Sequence, residues 1–213
     1  MATCTSSSMQ AFTLREKGEW ATIALRGWEH PVQEGVSSNV SKAYGGELLV
    51  HSSFGSWAHA WNSCGSPFPE FLLELDFDYL MGKLMGLELM QFDPQASVQG
   101  LLRHICQRRR DRAWSREEAR DVFNELQACE MELRANAQEF VHACQEISSY
   151  LQGRMPAIED ELDAIFGDPH AYIEQRKNPA AVEFWRLLWK PFCDELGQQV
   201  GSNERTPLSP SAA

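Results

Sequence analysis

The sequence predicts an α+β fold: a small antiparallel sheet with a Trp-rich hairpin packed by helices, followed by a helical C-terminal half with one long helix. Three observations lead there. Between Gly45 and Gly86 two short strand-like stretches give way abruptly to a helical period. From Asp93 onward apolar residues recur at intervals of three and four, the spacing of one helix face. The chain has 213 residues, 43% of them hydrophobic and seven of them Trp, which is enough for a proper core.

Ala11 to Leu14 and Trp20 to Leu25 read as the first two strands, joined by the three-residue turn signal Glu16-Lys17-Gly18. Gly27 to Ala43, with Pro31, Gly35 and a Ser/Asn cluster, reads as a long loop. Glu47 to Ser52 and Trp57 to Ser63 then flank Phe54-Gly55, a two-residue loop of hairpin type. That turn pairs Ser52 with Trp57, Val50 with His59 and Leu48 with Trp61. Alternation puts Leu48, Val50, Trp57, His59 and Trp61 on one apolar, buried face. Leu49, His51, Ala58 and Ala60 fall on the other.

After Pro67 the period changes. Phe71, Leu72, Leu75, Tyr79, Leu80 and Leu84 predict one helix over 68–85 that covers the hairpin. Pro69 and Glu70 suit its first turn. Glu74, Asp76 and Asp78 lie between its apolar positions. The hairpin, sheet and covering helix make a region at 9–92.

A helical region at 93–197 follows. Asp93-Pro94 is an N-cap and first-turn pair, and Val98, Leu101, Leu102 and Ile105 give that helix one apolar face. It ends in Arg108, Arg109, Arg110 and Arg112, which with Arg103, Arg116 and Arg120 form the basic patch of an acidic chain. Ser115 and Glu118 form a capping box. Val122, Leu126, Cys129, Leu133, Phe140, Ile147 and Leu151 then keep a near-helical spacing with no Gly or Pro until Gly153. They predict one continuous helix of about 50 Å. Such a rod packs in a helical hairpin or forms a coiled-coil homodimer through 116–151. A short helix from Ala157 to Phe166 comes next. The last helix carries Val182, Trp185, Leu188, Trp189, Phe192 and Leu196, with a kink expected at Pro191. Residues 198–213, rich in Ser and Pro, read as a disordered tail.

The string HSSFGSWAHAWNSCGSPFPEFLLELDFDYLMGKLMG resembles a family of small proteins encoded in tailed-phage and prophage genomes. They share a strand like VHSSFGSW, a Trp/Cys-Gly turn and an acidic FLLELDFDYL-type helix. PAAVEFWRLLWKPFCDEL is similar to that family's final helix. The resemblance implies a phage context and brings no catalytic residues with it.

The formal net charge is −11, which argues against general attraction to nucleic acid. It suits a protein partner with a basic surface, and it also simply favours solubility. The arginine cluster has two readings. It can contact phosphates or an acidic protein face, or it can offset a helix dipole and pair with the chain's own carboxylates. No phosphate loop, HExxH, GxSxG or kinase motif is present. The six cysteines show no ligand spacing. No metal and no cofactor is expected. His51 and His59 project to opposite hairpin faces, and Asp76 and Asp78 lie about 200° apart on a helix. Neither pair makes a site. Cys64 near His59 admits a thiol nucleophile, although a turn cysteine and a histidine among tryptophans are more often structural. No signal segment opens the chain and no apolar run approaches the ~20 residues of a membrane span. A cytoplasmic protein with reduced thiols is expected.

Three functions compete. The first is a phage accessory protein that binds a host protein complex in the host cell cytoplasm. In its most specific form it is an anti-CRISPR type inhibitor that blocks a nucleic-acid-handling defence complex. Glu70, Glu74, Asp76 and Asp78, or alternatively Arg108, Arg109, Arg110 and Arg112, would make the contact. Direct nucleic-acid binding is then weak or absent, and no membrane is involved. The second is an enzyme with a site near the hairpin at His51, His59 or Cys64. The third is a phage assembly or regulatory dimer.

Overall fold

The computed structural model describes residues 7–33 and 40–203. The described residues form two compact units, one from those within 1–89 and 177–203, the other from residues 90–176. The expected α+β architecture is present: a four-stranded antiparallel sheet, then a mostly helical chain.

In the first unit β1 (Gln10–Glu16), β2 (Glu19–Gln33), β3 (Val40–Ser52) and β4 (Gly55–Cys64) pair in that order. Lys17 and Gly18 make the first turn with φ of 52° and 89°. Two positive φ values give a turn whose twist matches that of the strands. The long loop expected over Gly27–Ala43 is strand for most of its length, because β2 reaches Gln33 and β3 begins at Val40. Residues 34–39 lie outside the described residues. Two strand glycines serve close packing. Gly27 faces Gly46 across the ladder, and a Cβ at Gly46 would sit 2.0 Å from the Phe68 ring. Glycine inside a strand often marks such a close approach.

The second hairpin has the expected two-residue loop, but one residue earlier than its sequence suggested. Val50 faces Trp57, Leu48 faces His59 and Gly46 faces Trp61, with Ser53-Phe54 at the tip. The Ser52 hydroxyl accepts from the Phe54 N–H at 3.2 Å and donates to the Gly55 carbonyl at 2.8 Å. This local bonding moves the turn back by one residue and the pairing by two. A shift of two preserves the faces, whereas a slip of one would invert them. Leu48, Val50 and Trp61 are accordingly buried with Ala21, Ile23 and Leu25. Trp57 and His59 are half-buried on the same face, while Leu49, His51, Ala58 and Ala60 are exposed.

The covering helix is two helices, α1 (Phe68–Glu74) and α2 (Phe77–Met85). Leu75 is extended, and Asp76 caps α2 by accepting from the Tyr79 N–H at 2.8 Å. A short carboxylate that can bond nearby N–H groups favours a helix start over a helix interior. The chain's last segment is helical from α8 (Pro179–Phe184) through a wide turn at Trp185–Trp189 into α9 (Lys190–Asn203). The Lys190 N–H reaches back five residues to the Trp185 carbonyl. This wide turn sits where Pro191, which has no N–H to donate, was expected to kink the helix. Residues 198–203, expected in the tail, continue the helix, and 204–213 lie outside the described residues. Phe184, Leu188, Trp189 and Phe192 join Phe68, Leu72, Leu80 and the sheet in one core. The last helix, placed by its sequence in the 93–197 helical region, packs with the sheet.

In the second unit β5 (Met90–Phe92) and β6 (Gln175–Lys177) form a two-stranded ribbon. Between them run α3 (Pro94–Arg110), α4 (Arg116–Ala128), α5 (Glu130–Ala135), α6 (Ala137–Arg154) and α7 (Glu159–Phe166). The single rod expected over 116–151 is therefore three helices. Asn136 is extended, at φ −162° and ψ 174°, and caps α6 by accepting from the Glu139 N–H at 2.9 Å. Its position at the gap in the apolar spacing is where a capping residue outweighs helix propagation. Leu133, Phe140, Cys144, Ile147 and Leu151 form the core with Leu101, Ile105 and Trp114.

Both bonds of the Ser115 capping box are made. Ser115 N–H donates to Glu118 at 2.6 Å, and Glu118 N–H donates to the Ser115 hydroxyl at 3.1 Å. Ser115→Ala is expected to lower stability by about 1 kcal/mol, read as a lower urea midpoint with an unchanged slope. An unchanged midpoint would show that this cap contributes nothing.

Candidate interaction surface

The four candidate carboxylates lie on α1, on α2 and at the junction between them. Glu74, Asp76 and Asp78 are exposed and Glu70 is half-buried. Two of the four are engaged. Asp76 caps α2, and Asp78 pairs with Lys177 at 2.6 Å. Lys177 also lies 4.8 Å from the Phe77 ring centre. Glu70 and Glu74 have no ion-pair partner among the described residues. The cluster thus presents less free charge than its sequence suggests.

The arginines divide differently. Arg108 is half-buried and pairs with Glu161 on α7 at 3.0 Å, so it ties α3 to α7. Arg109, Arg110 and Arg112 are exposed. The turn after α3, with Arg112 at φ 60°, reverses the chain and brings α4 alongside. Arg109 and Arg110 from α3 then meet Arg116 and Arg120 from α4 around an open groove of about 580 Å³. Its floor is apolar: Leu102, Ile105, Ala119 and Phe123. Arg103 stands beside Arg110 and Cys106 in an adjoining depression. None of Arg103, Arg109, Arg110, Arg112, Arg116 and Arg120 has an ion-pair partner among the described residues.

Magnitudes decide how much of this patch is structural. The C-terminal end of a helix carries about half a negative charge. That suits Arg109 and Arg110, which lie in the last turn of α3. It does nothing for Arg116, which sits in the first turn of α4 at the positive end of that dipole. Helix electrostatics therefore do not account for the cationic rim. The floor was missed in the sequence because Phe123 directly follows the core residue Val122 and falls outside the periodic seam. Such an off-seam aromatic, 39% exposed here, was the available signal.

The hairpin candidates do not converge. His51 Nδ1 lies 2.7 Å from the Ser56 hydroxyl, and its ring packs edge-on against Trp20. His59 packs on Trp61 with ring centres 4.4 Å apart, on the opposite face. Burial, aided by the Lys83 charge, lowers the His59 pKa. Cys64 is buried, and burial raises its thiol above the ordinary range. It is thereby kept as the unreactive thiol at neutral pH. Among the described residues no group of three or more His, Cys, Asp or Glu is placed to hold a metal ion. None of the described helices is long and apolar enough to cross a membrane.

No curated protein and no solved structure matches the chain. The sequence model of the phage family Phage_phiTE_072 does match, over residues 3–197. That span takes in the sheet, the α3–α4 groove and most of the last helix, and the chain belongs to this phage family.

Proposed function

We propose that the protein is a phage or prophage accessory protein that acts in the host cytoplasm by binding a host protein complex. Its most specific form is inhibition of a nucleic-acid-handling defence complex, of the anti-CRISPR type. The observation that carries the binding reading is the arginine-rimmed, apolar-floored groove between α3 and α4. Unpaired like charges beside exposed apolar surface destabilise a free fold slightly and favour an association that covers both. A formal net charge of −11 argues against general attraction to nucleic acid, but physiological salt screens that repulsion beyond a Debye length of roughly 8 Å. The apolar floor of the groove makes a protein face the better partner. The carboxylates at Glu70 and Glu74 supply a second, weaker contact suited to a basic channel.

Affinity purification from infected cells tests this. Wild type and Glu70→Lys/Glu74→Lys should both retain one host complex in stoichiometric amounts, and Arg109→Glu/Arg120→Glu should lose it. Loss with the acidic reversal alone would move the contact to α1. No host protein at stoichiometric level would refute the binding role. A homodimer through 116–151 would have to use exposed side chains such as Phe123 and Met131, since Leu133 and Phe140 are buried within the unit.

A further inference from the structure

We infer that the α3–α4 groove takes an amphipathic helical segment of its partner, acidic at one end and apolar along one stripe. This rests on the protein-binding reading and specifies its ligand. The basic groove does not stop at the arginines. Leu102 and Phe123 also line a second depression, of about 100 Å³, that continues past Val98, Leu126 and Leu133. The apolar track therefore follows α3 from Val98 to Arg110. At 1.5 Å per residue that is about 18 Å, the length of roughly three helical turns.

The two ends of the track differ in charge. At the α3 C-terminus stand Arg109, Arg110, Arg116 and Arg120. At the other end Glu130 and Arg134 pair with each other at 3.0 Å, leaving no net charge. A helix laid in such a groove anchors through side chains at intervals of three and four, which Leu102 and Phe123 are placed to receive. Its carboxylates belong at the arginine end, where guanidinium groups offer paired donors to each carboxylate. A nucleic-acid backbone would use the arginines but leave the apolar floor, Phe123 apart mostly aliphatic, wet, and this floor is the larger part of the track. A second copy of this chain offers Glu159 and Asp160, both exposed on α7, but light scattering separates that case.

The experiment is selection of binders to the full chain from a displayed library of random peptides long enough to span the track. Enriched peptides should combine Asp or Glu at one end with Leu or Phe at intervals of three and four. Their affinity should fall at least about tenfold with Arg109→Glu/Arg120→Glu, and similarly with Phe123→Asp. Glu70→Lys/Glu74→Lys should change nothing. Thermal unfolding of each variant confirms that it is folded. The inference is overturned if no acidic-apolar peptide is enriched, or if the enriched peptides bind the arginine variant as well as wild type. It is also overturned if a polythymidine oligonucleotide binds more tightly than any peptide, with the steep salt dependence of phosphate contacts, or if the chain is already a dimer closed by this groove. A host complex retained through the arginines with no peptide enriched removes the bound helix and leaves the binding role. Enriched peptides with no host complex do the reverse.

Discussion

Phe140→Asp is expected to unfold the helical unit. Phe140 and Leu133 are fully buried, and the Phe140 ring packs against Phe92 with centres 5.7 Å apart. A carboxylate there has no partner and no water. Transfer of an unpaired ion into such a site costs far more than a buried hydrogen bond returns. Domains of this kind have only about 5–15 kcal/mol of stability, and losses above about 4–5 kcal/mol mark such a buried, unpaired charge. Loss of the cooperative urea transition, followed by far-ultraviolet circular dichroism, is the predicted result. Phe123→Asp is the contrast: its side chain is partly exposed on α4, and stability should change by less than about 1 kcal/mol. If instead Phe140→Asp gives a folded monomer from a dimeric wild type, Phe140 lies between copies and the three-helix path of 116–154 is wrong.

How far the sequence revealed the fold depends on the range of each interaction. The place of the first turn, the Ser115 box and the Asp93 cap were legible because each is settled by residues within one turn. That first turn nevertheless takes two residues, Lys17 and Gly18, and not three, since Glu16 pairs with Glu19. The buried face of the hairpin was legible for a similar reason, since a pairing error of two leaves side-chain direction unchanged. Helix breaks were less so. Asn136 and Asp76 each sit within an apolar spacing that a continuous helix also satisfies, and only their caps decide otherwise. The extended β2 and β3 were hidden because a strand glycine and a loop glycine look alike until the ring that covers them is known. The arginines were legible as a cluster. That Arg108 is tied to Glu161 while Arg109, Arg110, Arg116 and Arg120 share a rim depends on the reversal at Arg112, and hence on tertiary packing.

The glycine trough gives the other large effect. Gly46 lies opposite Gly27 on one side and Trp61 on the other, with the Phe68 ring laid across it. Its φ is not in the left-handed region, so backbone conformation does not require glycine. The space does. A Cβ would meet Cγ of Phe68 at 2.0 Å and both Cδ atoms within 2.3 Å. The ring cannot swing away easily, because it is 2% exposed and flanked by Trp61 and Phe71 at 5.7 and 6.3 Å. Gly46→Ala should therefore lift α1 from the sheet. Alanine in a strand regains about 0.5–1 kcal/mol of backbone entropy relative to glycine. Overpacking typically costs about 1–3 kcal/mol, and an unyielding buried aromatic places this site at the upper end. A net loss of roughly 2 kcal/mol is expected from those opposing terms, seen as a lower urea midpoint. The cause is tested by removing the obstacle. Phe68→Ala alone should cost about 3–5 kcal/mol. With the ring gone, Gly46→Ala should cost nothing further, so the double variant should be more stable than the sum of the singles by about 2 kcal/mol, within the range of contacting pairs. Strictly additive losses would show that Gly46 is required for some reason other than the ring above it.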